Sequence, residues 1–555
     1  MRVIFCIILL FSFGSNLSAQ QYFYFVNFKD KPNYTEKLYQ PASYISERAI
    51  NRRTRNRVPL NINDIPPDSA YLAQLATLPL IIYGKSRWLN GALVLVNSKA
   101  ESEKIEALPF VSKVTYTGLA NLFDDNGLVS ERSLQNQINQ LAQAFEKRDS
   151  ILDTLALGRS YEQLHQIHSE ALLGRGLDGK GVLIAVLDAG FRNMDELEPF
   201  KHLFNEKRIL ATWDFVDAEE EVFEDDEHGL AVMSCLAANE PGLIVGSAPK
   251  SQYILLRTEN PSSEYLVEEY FWLFAAEYAD SVGVDIINSS LGYSKHDEKS
   301  MGHKYAELDG KTTIVTQAAE IAASKGILVV ASAGNEGNDP WRRITAPSDG
   351  EHVLSVGAVD KKGNSVSFSS IGPTADKRIK PDIVARGKNT SLLGANGKVF
   401  EGNGTSYACP IIAGSAAQLL QLAPKTSAQK LKDILVLSAH QYHQPDKQIG
   451  AGLPNLLLAS KMIVINRDSL IDISVTEDHF IHVLLFVNQK QKSKITVDYV
   501  DQNVSEKHNI TLEKGLNRIP LKVNKKRSNE MFHLSVELSD KNLVGKYLKP
   551  SISQH

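Results

Sequence analysis

Short apolar runs alternate with amphipathic stretches through the middle of this 555-residue chain. A run that is apolar at nearly every position over roughly 4–8 residues is typical of a parallel strand buried on both faces. Such runs lie at 181–187, 253–256, 284–288, 327–331 and 353–356. Helical patterns separate them, notably at 264–282 and 313–324. Strands that alternate with helices predict an α/β fold, a parallel sheet with helices on both faces, over residues 161–460.

The region before this unit has a mixed pattern. Strand-like stretches lie at 22–28, 80–83, 91–96 and 111–116, and helical stretches lie at 46–53, 71–76 and 100–108. They predict a small α+β module over residues 20–118. Residues 119–160 are polar and include a helix-prone stretch at 130–155. We interpret them as a helical connector, where proteolytic processing tends to occur.

After about residue 460 the helical pattern fades. Alternating stretches at 480–487, 495–500 and 532–538 replace it. Alternation of apolar and polar positions is typical of strands with one buried face. Residues 461–555 are therefore predicted to form a small all-β domain of the sandwich type.

The N-terminus carries the pattern of an export signal. Arg2 precedes the apolar run 3–13, and small and polar residues follow as far as Ala19. The run is shorter than the roughly 20 residues that cross a bilayer, so we expect a signal peptide over 1–19 rather than a membrane anchor. We expect a secreted protein, in the extracellular space, the periplasm or at the cell surface, with no membrane span after processing.

The net charge bears on the partners of the protein, and the cysteine content bears on its disulfide bonds. The formal net charge of -5 gives no field suited to nucleic acid, so we expect no nucleic-acid partner. Outside the predicted signal the chain has only Cys235 and Cys409. Two cysteines in an exported protein can form one disulfide, or they can be two small buried side chains, and the sequence leaves both interpretations open.

Four polar residues stand where a predicted strand ends or a predicted helix begins. Asp188 follows the run 181–187, His228 is followed by Gly229, and Asn335 comes after the run 327–331. Ser406 opens a helix of small residues, where free N–H groups favour negative charge. Taken singly, each has an ordinary explanation as a helix cap, a turn residue or a structural histidine.

The four residues together carry more information than any one of them. The chain order Asp, His, Ser is one of the orders known for catalytic triads. Gly-Thr-Ser-x-Ala-x-Pro at 404–410 and Ala-Gly-Asn-Glu-Gly at 333–337 resemble the subtilisin-like serine proteases. The resemblance extends from about 181 to 454 and includes the stretches 287–292 and 367–373.

This resemblance implies a serine endopeptidase with Ser406 as nucleophile, His228 as base and Asp188 as the acid that orients the base. It also implies an oxyanion hole formed by Asn335 and the backbone N–H of Ser406. The implied substrates are extended polypeptides, and the implied substrate-binding residues are Ser290, Leu291, Gly292, Ser332, Ala333 and Gly334. No cofactor is required for this chemistry. Residues 20–118 would be the inhibitory propeptide, with an accessory binding domain as the alternative.

Two positions depart from the family pattern. The family usually has Ser or Thr at the position of Ala189, and Thr at the position of Leu230. The alternative function is therefore a catalytically weak or inactive binding protein of the same fold. A lipase or esterase of the α/β-hydrolase type needs Gly-x-Ser-x-Gly and the order Ser, Asp, His, which the surroundings of Ser406 do not match.

An acidic run precedes His228. It consists of Asp217, Glu219, Glu220, Glu221, Glu224, Asp225, Asp226 and Glu227. These carboxylates are either solvated surface or a cation site, so a structural calcium ion is possible but unassigned and the metal site is unknown. If they lie near His228, they favour its charged form and move the activity optimum to higher pH.

Overall fold

The computed structural model describes residues 20–32, 40–41, 44–120, 156–465, 469–475, 480–499, 504–522, 532–539 and 541–547. The predicted signal peptide at 1–19 and the helix-prone stretch at 130–155 lie outside the described residues. The domain boundaries of the sequence analysis stay predictions.

A parallel sheet of seven strands forms the centre of the molecule, in the order β13-β12-β11-β10-β5-β9-β6. These strands are β5 (Leu183–Asp188), β6 (Ile209–Asp214), β9 (Gln252–Arg257), β10 (Ile286–Ser289), β11 (Leu328–Ser332), β12 (Leu354–Val359) and β13 (Ile383–Arg386). Two-stranded ribbons pair β7 (Asn239–Glu240) with β8 (Ile244–Val245) and β14 (Thr390–Leu393) with β15 (Val399–Gly402). The helices of this unit are α4 (Tyr161–His165), α5 (Ser169–Leu173), α6 (Lys201–Asn205), α7 (His228–Ala237), α8 (Val267–Val282), α9 (Ile314–Ser324), α10 (Thr405–Leu422), α11 (Ala428–Ser438) and α12 (Leu456–Val464).

Helices cover both faces of this sheet, as the continuous apolar runs predict. Ile184 and Val186 of β5 belong to one buried cluster, which also contains the inner faces of α7 and α10. Leu183, Ala185 and Leu187 of the same strand belong to a second cluster, formed with α8 and α9. The predicted α/β architecture is therefore confirmed.

The N-terminal module is a four-stranded antiparallel sheet in the order β2-β3-β1-β4 with helices. Its elements are β1 (Gln21–Phe28), α1 (Glu47–Asn56), α2 (Ser69–Leu75), β2 (Leu80–Ser86), β3 (Gly91–Val96), α3 (Glu101–Glu106) and β4 (Val111–Ala120). One sheet face packs on α8, where the ring of Phe25 stacks on Tyr270 with centroids 4.5 Å apart. A Cβ at Gly84 would lie 2.5 Å from the ring of Phe274, so glycine permits the close approach of the two elements.

Buried ion pairs accompany this apolar contact. Asp280 of α8 pairs with three guanidinium groups of the N-terminal module, those of Arg52, Arg53 and Arg87. Arg53 also lies 2.8 Å from Asp64, which is itself 2.9 Å from the ammonium group of Lys325. All the arginine and aspartate side chains of this network are less than a tenth exposed, so solvent screens them little.

The C-terminal region consists of antiparallel strands in two sheets, β16-β17-β20 and β19-β18-β21-β22. The strands are β16 (Ser469–Val475), β17 (Phe480–Val487), β18 (Gln491–Tyr499), β19 (Val504–Leu512), β20 (Gly515–Lys522), β21 (Phe532–Glu537) and β22 (Asn542–Tyr547). Alternate residues of both sheets, such as Val483 and Val497, share one buried cluster, which confirms the all-β prediction. Within the described residues, no helix combines the length and the apolar character that a membrane crossing requires.

Candidate active site

The four polar residues singled out in the sequence all lie at the carboxyl edge of the parallel sheet or at a helix start. Asp188 is the last residue of β5, and His228 is the first residue of α7. Asn335 follows β11 by three positions, and Ser406 is the second residue of α10. Parallel sheets place their binding sites at this edge because the strands end there together and their connections diverge.

Asp188 and His228 are in direct contact. Oδ1 of Asp188 lies 2.7 Å from Nδ1 of His228 and accepts the backbone N–H of Ala189 at 2.9 Å. The Asp188 side chain is fully buried. Its second oxygen, Oδ2, receives no hydrogen bond from any residue that the structure describes, and Ala189 has no hydroxyl to offer. The carboxylate is thus held through one oxygen, which faces the imidazole.

The imidazole of His228 is strongly biased toward its charged form. Burial by itself lowers the pKa of His228, but the charge and hydrogen bond of Asp188 oppose it, and Asp226 and Glu259 add to that effect. The outcome is a pKa of about 9. Asp226 belongs to the predicted acidic run, and it also accepts the backbone N–H of His228 at 2.7 Å. The pKa of His228 is thus raised, as expected from the acidic run, but Asp188 contributes more to the increase than the acidic run does.

The Ser406 hydroxyl donates to the backbone carbonyl of Ser290 at 3.0 Å. In return, the hydroxyl of Ser290 donates to the carbonyl of Ser406 at 2.8 Å. No hydrogen bond joins Ser406 to His228 in the part of the chain that the structure describes. The ring of Tyr407, the next residue of the helix, lies 5.9 Å from the imidazole between centroids. The start of α10 therefore lies beside the Asp188–His228 pair.

The side chain of Asn335 is fixed by a residue that the sequence analysis did not single out. Oδ1 of Asn335 accepts the backbone N–H of Thr405 at 2.9 Å and the hydroxyl of Thr405 at 3.0 Å. With the oxygen held in this way, the amide N–H groups of Asn335 remain free to donate elsewhere. Thr405 belongs to the motif at 404–410, but nothing in the sequence indicates that it contacts Asn335.

The predicted substrate-binding residues lie together. The hydroxyl of Ser332 donates to the carbonyl of Leu291 at 3.1 Å, which links the two predicted stretches. The backbone N–H of Gly334 donates to the hydroxyl of Thr405 at 3.3 Å. A Cβ at Gly292 would lie 2.1 Å from Oγ1 of Thr345, so this position requires glycine for close packing. Ser290 and Ala333 lie in the same two stretches, next to these contacts.

The disulfide interpretation of the cysteines is wrong. Cys235 and Cys409 are both free and buried. Sγ of Cys409 lies 3.4 Å from the carbonyl oxygen of Val330, whereas Sγ of Cys235 lies 4.0 Å from Nε2 of Gln163. The two thiols thus contact different neighbours and are small buried side chains. Burial raises the pKa of the Cys235 thiol to about 12, so it is protonated and unreactive at neutral pH.

Part of the acidic run surrounds an arginine. The guanidinium group of Arg257, at the end of β9, lies 3.1 Å from Asp225 and also pairs with Asp217. The buried Asp214 joins them at 2.5 Å. Burial raises the pKa of Asp225 to about 6. Arg257 therefore supplies positive charge at the point where these carboxylates converge.

Known proteins are similar in sequence to large parts of this chain. Residues 179–452 match the subtilase family of peptidase S8, and residues 23–140 match the peptidase S8 propeptide domain of Bacteroidota. The serine protease AprX of Bacillus subtilis (strain 168) is 31% identical over 312 residues, which are 51% of this chain and 66% of AprX. Subtilisin Savinase of Lederbergia lenta is 28% identical, over 54% of this chain and 97% of Savinase.

A solved structure of MycP1 with its N-terminal propeptide removed aligns with a TM-score of 0.43 and 22% identity, over 54% of this chain and 96% of that one. The match to the subtilase family and the similarity to AprX and Savinase place the chain among the serine-type peptidases. The chain belongs to the subtilase family.

Proposed function

We propose that this protein is a secreted endopeptidase that cuts peptide bonds through Asp188, His228 and Ser406. The observation that carries the proposal is the 2.7 Å contact between Asp188 and His228, with the start of α10 beside it. In this arrangement Asp188 fixes the tautomer of the imidazole, so that Nε2 is available as the base.

The proposed reaction begins when the Ser406 hydroxyl turns from the Ser290 carbonyl toward His228. His228 then takes the hydroxyl proton while Oγ bonds to the carbonyl carbon of the substrate, which forms a tetrahedral intermediate. Its oxyanion is stabilised by the amide N–H of Asn335 and the backbone N–H of Ser406. His228 gives the proton to the leaving amine as the C–N bond breaks, and water releases the acyl group in the same manner.

The proposed substrate is an extended polypeptide. The linked stretches 290–292 and 332–334 offer backbone groups beside Ser406, where a substrate strand would pair through its main chain. Such pairing selects unfolded segments and tolerates many side chains, so broad specificity is expected. The N-terminal module, packed on α8, would act as the intramolecular inhibitor until it is cut off. Export through the segment 1–19 belongs to the same proposal.

Covalent labelling tests the nucleophile directly. A fluorophosphonate probe is added to the wild-type protein after removal of the N-terminal module, and to the Ser406→Ala and Ser415→Ala variants. Ser415 is the matched control because it lies on the same helix and its hydroxyl donates to Ser169. Wild type and Ser415→Ala are expected to label, and Ser406→Ala is not. Wild-type protein that resists labelling would favour the inactive binding protein, and labelled Ser406→Ala would assign the nucleophile elsewhere.

A further inference from the structure

Three metal-binding side chains converge outside the proposed active site. Glu269 lies on α8, and His296 and His303 lie in the segment that joins β10 to α9. Nε2 of His303 lies 2.5 Å from Oε1 of Glu269, and Nε2 of His296 lies 3.6 Å from the same oxygen. One ligand atom from each residue lies within 4.8 Å of the others.

The burial of this cluster is unusual for such polar groups. The side chains of Glu269 and His296 are fully buried, and that of His303 is 9% exposed. Neither ring nitrogen of His296 makes a hydrogen bond to any residue that the structure describes. A buried polar group without a partner costs free energy, and the structure places this one against a carboxylate and a second imidazole.

We propose that Glu269, His296 and His303 bind a divalent transition metal ion, with zinc as the best match. Two imidazoles and one carboxylate form a nitrogen-rich ligand set that suits zinc, whereas calcium prefers oxygen ligands. Zinc ligands at about 2.0–2.1 Å in a tetrahedral site stand about 3.3 Å apart. The 3.6 Å between Nε2 of His296 and Oε1 of Glu269 is already close to this value. The 2.5 Å between Nε2 of His303 and the same oxygen needs to increase by roughly 0.8 Å, which a small side-chain rotation provides.

The groups around the cluster support the same assignment. Oε2 of Glu307 lies 3.8 Å from Nδ1 of His303, which is longer than a hydrogen bond but places a carboxylate beside the ring nitrogen that the metal would leave free. The other oxygen of Glu269 is held by the backbone N–H of Val315 at 3.0 Å. His303 also lines an open cleft with Tyr116 of the N-terminal module, which gives an ion a path to the site.

The position of the cluster indicates what a bound ion would do. The segment with both histidines follows the predicted substrate-binding residues 290–292 and would be tied to α8 by the metal. The N-terminal module packs on that same helix. A bound ion would therefore stabilise the fold beside the substrate site without touching the reacting atoms.

Metal binding by the full chain tests the proposal. The protein is prepared as the Ser406→Ala variant to prevent self-cleavage, treated with a chelator, and titrated with zinc chloride in a calorimeter. We expect one saturable site and a zinc-dependent rise in Tm. Cobalt(II) added instead of zinc should give the visible absorption of a four-coordinate site with nitrogen ligands. None of these readouts depends on peptidase activity, so failure here leaves the proposed function untouched.

Matched variants locate the site. His296→Ala and His303→Gln are expected to weaken zinc binding at least tenfold and to remove the cobalt absorption. The control is His165→Ala, because His165, His168 and Glu170 form a second, more exposed group of potential ligands. Circular dichroism establishes that each variant is folded, and the partly accessible His303 provides a test if His296→Ala fails to fold. The proposal is overturned if the folded parent shows no saturable binding, or if only His165→Ala reduces it.

Discussion

Oδ1 of the buried Asp188 and Nδ1 of His228 are 2.7 Å apart, and this contact sets both the orientation and the charge of the imidazole. Burial opposes the charge on the ring, but Asp188 outweighs burial and the pKa of His228 is about 9. Below that pH the ring is protonated and cannot accept the proton of Ser406. The contact therefore makes the proposed activity dependent on alkaline pH.

The first prediction concerns this pH dependence. We expect kcat/KM on an unstructured peptide to rise about tenfold per pH unit and to level near pH 9, because only the neutral imidazole is a base. Asp188→Asn removes the charge that raises the pKa, so the midpoint should move to lower pH and the plateau should fall by about 10⁴-fold. The measurement is the pH profile of kcat/KM for the processed enzyme.

The exposed Glu196 provides the control for a general charge effect. Glu196→Gln should leave the midpoint unchanged. A profile of Asp188→Asn with the wild-type midpoint would contradict the assignment of Asp188.

The second prediction concerns Asn335. In subtilisin, loss of the oxyanion-hole asparagine lowers kcat by about 10²–10³-fold, and we expect a similar loss for Asn335→Ala with little change in KM. Thr405→Val removes one of the two hydrogen bonds that fix Asn335 and keeps the backbone one, so its effect should stay below about tenfold. Steady-state kinetics of the two variants provide the comparison. If Asn335→Ala changed KM alone, the residue would bind substrate rather than the transition state.

The third prediction compares two arginines on α1. Arg53 is 2% exposed and pairs with Asp64 and Asp280, so Arg53→Ala should lower the free energy of unfolding by about 3–5 kcal/mol. Arg48 is 38% exposed and pairs with Asp285, so Arg48→Ala should cost about 1 kcal/mol or less. Urea unfolding of both variants in the Ser406→Ala background, followed by tryptophan fluorescence, measures the difference. Equal losses would show that burial does not control the strength of these ion pairs.

Two strands of the central sheet that were not predicted from the sequence both lack a long apolar run. The strands Ile209–Asp214 and Ile383–Arg386 were not predicted, and they are the two edge strands of the seven-stranded sheet. The first of these is partly exposed along most of its length, and the second has only four residues, so neither provides a long apolar run. The central strands, buried on both faces, were predicted to within a few residues.

For the candidate site, the sequence identified the main residues but not all of the contacts between them. The sequence identified Asp188, His228, Asn335 and Ser406, because each stands at a strand end or a helix start within a recognisable motif. It did not identify Thr405 as the partner of Asn335, since 70 residues separate them and the contact arises from the meeting of β11 and α10. It also left the state of Cys235 and Cys409 open, because that depends on which neighbours each thiol contacts.

By itself, the sequence determined the layered α/β unit, its flanking modules and the chemical groups of the candidate site, because apolar periodicity and short motifs are local properties of the chain. Only the tertiary structure decided which charges are buried together, as at Asp280 and its three arginines, and which imidazoles meet Glu269. Those contacts join residues far apart in the chain, and their strength depends on the exclusion of water, which packing alone provides.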